Sequence, residues 1–319
     1  MLRRALRLAA ATFGLIAAAP AAHAWSEETH QTTGAIAWAD LAQRHPDSLA
    51  RLLTIAAAHQ DYRLFAPFAQ GLGEPARERA LFEWLARWPD DIRGGPEDFP
   101  KWHYELRVGS GRTWAWPWTN GTASDGFAYN YAMLANGCAA PADRAKAIGW
   151  LLHIVGDIQQ PLHGGHQMTE VYNLTDRAGS IAFVRRTAGG EPTDLHQYWD
   201  KMLELGAITP PGGGTDWANA LLRLWPRQSL PEVSRSGDPG VLFSSYLDES
   251  ATLAGMVAYQ GTFLAASPDP ALAPVVSPAE NAIAGQLAMR RVATSGYRIA
   301  DILALALAEA DRNQATCES

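Results

Sequence analysis

Two histidine–aspartate pairs carry the clearest chemical signal in the chain. His153 and Asp157 stand four residues apart in Leu151-Leu-His-Ile-Val-Gly-Asp-Ile-Gln-Gln-Pro-Leu-His163, and His196 and Asp200 repeat the spacing in Asp194-Leu-His-Gln-Tyr-Trp-Asp200. Side chains four apart share one face of a helix, so each pair presents an imidazole and a carboxylate together. Pro161 stops the first helix and lets His163 arrive from the turn that follows. Asp90, in Trp88-Pro-Asp-Asp-Ile-Arg93, and His103, in Trp102-His-Tyr-Glu105, add a second carboxylate and imidazole. A cut after Ala24 would make Trp25 the first residue, five ahead of His30, and its α-amine and carbonyl would also become ligands. Trp25, His30, Asp90, His103, His153, Asp157, His163, His196 and Asp200 are then nine candidate ligands. That is too many for one tetrahedral zinc and enough for a cluster of two or three ions with shared carboxylates. With only Cys138 and Cys317 in the chain, a thiolate zinc site is excluded.

The elements that must position these groups read mostly as helices. Apolar residues recur at three and four residue spacing over 26–44, 46–59, 75–87, 141–160, 193–205 and 279–312, with Ser, Thr, Asp or Pro near several starts. One strand is expected over 180–186, after the turn-like 176–179, giving a short hairpin. The Gly/Pro-rich stretches 94–100 and 209–214 read as loops within a single domain, because candidate ligands lie on both sides. The fold class expected is all-α, with the hairpin as its only sheet. His45 and His59 sit at helix ends and read as structural, and His166 as a solvated loop residue.

The first 24 residues read as a removable leader: basic Arg3, Arg4 and Arg7, apolar 8–19, then Ala22-His23-Ala24. The apolar stretch is shorter than the ~20 residues needed to span a bilayer, so the product expected is residues 25–319, periplasmic or secreted and without an anchor. Losing three arginines takes the formal charge from −7 to −10. No basic surface for nucleic acid is implied, yet bound metal ions can supply the local positive charge that a polyanion needs. At 47% hydrophobic with twelve tryptophans, the chain can bury one large core or two smaller ones. Cys138 and Cys317 are available to pair in an oxidising compartment.

Taken in order, the Trp25 start, Trp-Pro-Asp-x-x-Arg, His-Tyr, the run from His153 through Asp157 to Gln-Pro-Leu-His163, and His196-x-x-x-Asp200 resemble the S1/P1 nuclease family. The resemblance implies a mainly helical fold of the phospholipase C/P1 nuclease type, a cofactor set of three Zn2+ ions and hydrolysis of single-stranded DNA and RNA to 5′-phosphorylated products. Action on 3′-nucleotides by a monomeric enzyme is implied as well. By matching position, Asp90, His103, His153 and Asp157 look like the ligands of one buried zinc, and His163, His196 and Asp200 like those of its close neighbour. The amine and carbonyl of Trp25, with His30 and a second oxygen of Asp157, resemble the shell of a third, more exposed ion. In the family's reaction the zinc pair activates water for attack at phosphorus, with Asp90 and Asp157 holding the ions. Arg93 stands where the family places an arginine that forks onto phosphate.

Tyr104 matches an aromatic that stacks on a nucleobase, which is tolerant of base identity. Leu106 stands where eukaryotic members have an acidic residue at the base edge, and Ser180 where they have an asparagine near the scissile phosphate. Two alternatives remain open. Zinc phospholipase C shares the scaffold but typically carries glutamate where Asp200 stands, and a non-catalytic periplasmic zinc-binding protein usually presents His-rich tracts or one closed site.

Overall fold

Ser26 opens the first helix by accepting the Thr29 amide on its hydroxyl, and Glu27 and Glu28 place negative charge on the first turn of α1, Glu27–Arg44. The structure, a computed structural model, describes residues 25–108, 121–173, 175–205, 214–233 and 236–313. Proline at the first turn starts α2, Pro46–Ala56, where its missing N–H costs nothing. Next come α3, Ala76–Asp91, α4, Ala123–Ala135, and α5, Pro141–Asp157. After them lie α6, Leu195–Asp200, α7, Gly214–Leu224, α8, Pro239–Leu253, and the long α9, Pro278–Asn313. The chain is mainly helical, as expected.

The boundaries differ where the chemistry lies. The first expected helix over 141–160 ends at Asp157, and a separate turn, Pro161–Gly164, carries His163. The helix expected over 193–205 is divided into β4, Pro192–Asp194, then α6 and a turn at Met202–Leu205. In contrast α3 runs four residues past Arg87, through Pro89. Pro89 removes one N–H from the ladder, and the helix ends two residues beyond it. Helices α4, α7 and α8 were not expected. Gly126 in α4 lowers the helix signal but is required, since a Cβ there would strike the Trp102 indole.

The hairpin is present: β3, Phe183–Arg185, pairs antiparallel with β4. A second pair joins β1, Arg107–Val108, parallel to β2, Gly165–His166, tying the chain after His103 to the chain after His163.

Two apolar clusters form. One gathers Leu52, Phe82, Trp84, Trp150, Leu247 and Leu303, and the other Trp25, Leu162, Trp199, Trp217, Phe263 and Val292. Helix α9 serves both, with Val292 and Tyr297 in one and Ile299 to Leu307 in the other, and α1 does the same with Ile36 and Leu41. Helix α1 packs on α3, α7 and α9. The approach is close enough that a methyl at Gly34 would collide with the Phe82 carbonyl, and one at Gly296 with Ile36. Among the described residues no helix is long and apolar enough to cross a membrane. The leader expected over residues 1–24, Cys317 and with it the expected pairing to Cys138, and most of the loop expected over 209–214 lie outside the described residues.

Candidate metal centre

Helix α5 ends on the two residues that organise the site. His153 and Asp157 are fully buried on its inward face, four apart as the helical period requires. Asp90 comes from the last turn of α3, His103 from the 3-10 turn Pro100–His103, and His30 from α1. The Pro161–Gly164 turn brings His163, and α6 brings His196 and Asp200. Trp25 lies just ahead of α1, its indole N–H donating to the Gly156 carbonyl at 3.1 Å, while the Ser26 amide donates to the Asp200 carbonyl at 3.1 Å.

All eight candidate side chains converge into three groups whose ligand atoms lie within 4.8 Å of one another: His30, His153 and Asp157; Asp90, His103 and His153; and His163, His196 and Asp200. Asp157 serves two sides at once. Its Oδ1 lies 3.2 Å from His30 Nε2, and its Oδ2 lies 3.0 Å from His103 Nδ1 and 3.1 Å from His153 Nε2. The residues shared between groups therefore link the His30 group to the Asp90 and His103 group. The neighbour expected from the sequence, His163 with His196 and Asp200, shares no ligand with either and joins through the His163 Nδ1 contact to the His103 carbonyl at 2.6 Å.

The donor set fits divalent cations. His153, His163 and His196 each donate from Nδ1 to a backbone carbonyl, of Ala86, His103 and Ala178, at 2.8, 2.6 and 2.8 Å. A carbonyl can only accept, so the proton of each ring is fixed on Nδ1 and the Nε2 lone pair faces inward. Nε2 of His163 and Nε2 of His196 then confront each other at 3.1 Å with no proton to share. Both ring nitrogens of His30, His103 Nε2, Asp157 Oδ1 and Asp200 Oδ2 are buried without a hydrogen-bond partner among the described residues. Such groups are costly unless something else satisfies them.

Charge points the same way. Burial pushes the Asp200 carboxyl well above the usual carboxylate range, with only the Gln160 amide, at 2.9 Å, to oppose it. Burial pulls His163 down to about 3 and lowers His30 and His103, so these rings are neutral, as ligands must be. Burial acts upward on Asp157 too, but the imidazoles of His153, His103 and His30 around it hold it well below its ordinary value. Five imidazoles and three carboxylates turned toward one another suit zinc, which takes nitrogen and oxygen donors.

The expected substrate contacts are less completely gathered. Arg93 donates from Nε and Nη2 to Asp90 Oδ1 at 2.9 and 2.5 Å, which fixes it at the edge of the centre. A cleft of about 400 Å³ opens over the site between Trp25, Glu27, Glu28, Asp90, Gln197 and Asp200. Tyr104 and Ser180, both half-buried, do not line it. Leu106 packs on the second apolar cluster. His166 is not solvated as expected: it is buried, 5% exposed, with Nδ1 on the Thr175 hydroxyl at 2.9 Å. Its place on β2 removes it from solvent, and a two-residue strand has no periodicity to announce that.

Some supporting groups were missed. The carbonyls of Ala86, His103 and Ala178 have no sequence signal at all. Gln160 had one, an amide beside Pro161 between ligands. Ala178 sits in a run of left-handed backbone, with φ of 55° at Arg177, 56° at Ala178 and 87° at Gly179. An L residue other than glycine is disfavoured there by about 1–2 kcal/mol. Ala178→Gly keeps the carbonyl that orients His196 and relieves that strain. Offset by the ~0.5–1 kcal/mol that glycine costs through its freer unfolded chain and by about 0.8 kcal/mol for the Ala178 methyl buried in the second apolar cluster, the variant should differ from the parent by less than about 1 kcal/mol. Thermal unfolding should stay within a few degrees of the parent with metal content unchanged.

Comparison with known families agrees with this geometry. The model of the family described as S1/P1 Nuclease matches residues 25–308, nearly the whole chain. The chain belongs to the S1/P1 nuclease family. No curated protein matches it. Membership makes the chain a nuclease-type phosphodiesterase, a metal-dependent hydrolase whose substrates are nucleic acids. The match begins at Trp25, and it takes in every residue of the three groups described above.

Proposed function

We propose that the mature protein is a periplasmic or secreted endonuclease holding three zinc ions and cleaving single-stranded DNA and RNA to 5′-phosphorylated products, with 3′-nucleotidase activity as well. The observation that carries this reading is the set of inward Nε2 lone pairs, fixed by three backbone carbonyls, beside the buried carboxylate oxygens Asp157 Oδ1 and Asp200 Oδ2, which have no hydrogen-bond partner among the described residues. In this reading Asp90, His103, His153 and Asp157 hold one ion, His30 and the other oxygen of Asp157 hold a second with the amine and carbonyl of Trp25, and His163, His196 and Asp200 hold the third. Removal of residues 1–24 is part of the proposal. It is supported by the anchoring of Trp25 and Ser26 on Gly156 and Asp200, which keeps the backbone of residue 25 beside the cluster.

Zinc at these positions supplies Lewis acidity, polarising a phosphoryl oxygen and making water a usable nucleophile near neutral pH. The chain does the rest. Arg93, braced on Asp90 through Nε and Nη2, keeps Nη1 outside that contact for a phosphate oxygen. Gln160 steadies Asp200, and Trp25 closes one wall of the cleft. Because the ligands lie beneath the cleft, a phosphodiester has to be drawn in. A splayed single strand does this freely, whereas a duplex must first unpair at a cost of a few kcal/mol.

A side-by-side assay tests the proposal. Single-stranded DNA, single-stranded RNA and a 3′-nucleotide should be hydrolysed, duplex DNA at least about tenfold more slowly, and phosphatidylcholine not at all. Turnover of phosphatidylcholine without nucleic acid would make the protein a phospholipase C, and zinc content with no turnover of any ester would make it a binding protein.

A further inference from the structure

Two arginines are buried inside the molecule behind the metal centre. Arg291 is 2% and Arg298 0% exposed, both on α9. Placing two guanidinium groups in a protein interior is costly unless most donors are matched, and here the matches come from Gln159, from Glu249 and Ser250 of α8, and from the Glu232 carbonyl, which Arg298 Nη2 reaches at 3.1 Å. Arg291 donates from Nε to the Gln159 carbonyl at 2.9 Å and from Nη2 to the Ser250 hydroxyl at 2.8 Å. Arg298 donates from Nη1 to the Gln159 side-chain oxygen at 2.7 Å, and its guanidinium lies 4.0 Å above the Tyr246 ring. Glu249 bridges the pair, accepting from Arg291 Nη1 and, at 2.6 Å, from Arg298 Nη2. Ser250 donates in turn to the Ile158 carbonyl.

Ile158 and Gln159 are the residues between ligand Asp157 and Gln160. Their carbonyls stand at the end of α5, where a helix leaves its last acceptors unpaired and favours positive charge. From the same turn the Gln160 amide donates to Asp200 at 2.9 Å, and the Gln160 carbonyl accepts the His163 amide at 3.0 Å. Gly164 lies so close to α8 that a Cβ would come within 2.8 Å of the Ser250 Cβ. Resting on the metal-centre reading above, we infer that Arg291, Glu249, Arg298 and Ser250 form a positioning clamp. It fixes the 157–163 turn so that Asp157, His163 and, through Gln160, Asp200 present their ligand atoms together. None of the four touches the substrate or a metal position.

A control lies on the same helix. Asp301 of α9 accepts from Arg44 at 2.9 Å and from Arg227, and these two arginines also hold Asp40, at 3.0 and 2.8 Å. This second network ties α9 to the body of the fold but reaches no ligand. Ser250→Ala, Glu249→Gln and Asp301→Asn, each loaded with zinc, are compared for the rate of zinc release to a chromogenic chelator and for the unfolding midpoint of the chelated protein. Ser250→Ala removes one hydroxyl and keeps both arginines, so it remains measurable even if Glu249→Gln does not fold. Clamp variants should release zinc at least about tenfold faster than Asp301→Asn at an equal or smaller loss of midpoint. Equal release rates at matched stability would overturn the clamp and leave the metal centre standing. A wild type that holds no zinc would overturn both.

Discussion

Asp157→Asn should lose at least one zinc and reduce phosphodiesterase activity by more than about a hundredfold. Outer partners of a metal site typically cost 10–100-fold when removed, and Asp157 is closer in than that. Its two oxygens face His30 on one side and His103 and His153 on the other, at 3.2, 3.0 and 3.1 Å. An amide keeps the size of the side chain but replaces one oxygen with an NH2 group, which has no lone pair for a cation. One side of the shared position is therefore lost whichever way the amide is turned. The fold should survive, because α5 reaches Asp157 as its last residue and the neighbouring packing is untouched. Metal analysis of the purified variant, with N-terminal sequencing of the wild type, checks the expectation. Wild type should hold close to three zinc ions and begin at Trp25. A tightly bound wild-type stoichiometry of one, or an Asp157→Asn protein with full metal and activity, would contradict it.

Chelation should cost the protein much of its stability. Each ion that binds only the folded state contributes about 4 kcal/mol when its free concentration is a thousand times Kd. For a chain of this size roughly 2–4 °C of unfolding midpoint accompanies each kcal/mol, so stripping one tight site should lower the midpoint by about 10 °C and stripping several by more. The structure gives the reason. His163 and His196 turn lone pairs toward each other at 3.1 Å, and Asp200 is buried with one oxygen unpartnered among the described residues, an arrangement that a cation between them would stabilise. Zinc added back should restore the midpoint, while magnesium, which prefers six oxygens and retains its waters, should not. Calorimetric scans with and without chelator measure both. An unchanged midpoint after complete metal removal would show that the cluster is not coupled to folding.

The convergence of the candidate ligands was legible because the helical period fixes where they must point. His153 with Asp157 and His196 with Asp200 need nothing but a helix to share a face, and helices do form there. The hairpin was legible too, from the turn residues before it. What was not legible depends on tertiary contact. Helix α4 contains Gly126, a residue that reads as a breaker until the Trp102 indole is seen against it. Helix α6 is short because β4 takes the residues before it, a competition that local pattern cannot decide. Arg291 and Arg298 carry no signal of their own in the sequence, since their burial depends on Glu249 and Gln159 arriving from elsewhere in the chain. Tyr104 and Ser180 could be aligned by position, but whether they line the cleft depends on the path of the backbone.

Helix α9 contributes Val292 and Tyr297 to one apolar cluster and Ile299 to Leu307 to the other. The molecule accordingly has no line along which it can be halved. A shortened gene product ending before Pro278 would open both clusters and remove the arginine pair in one stroke, so neither half is expected to survive as an independently folding fragment. Anyone dissecting this protein is better served by single substitutions than by deletions.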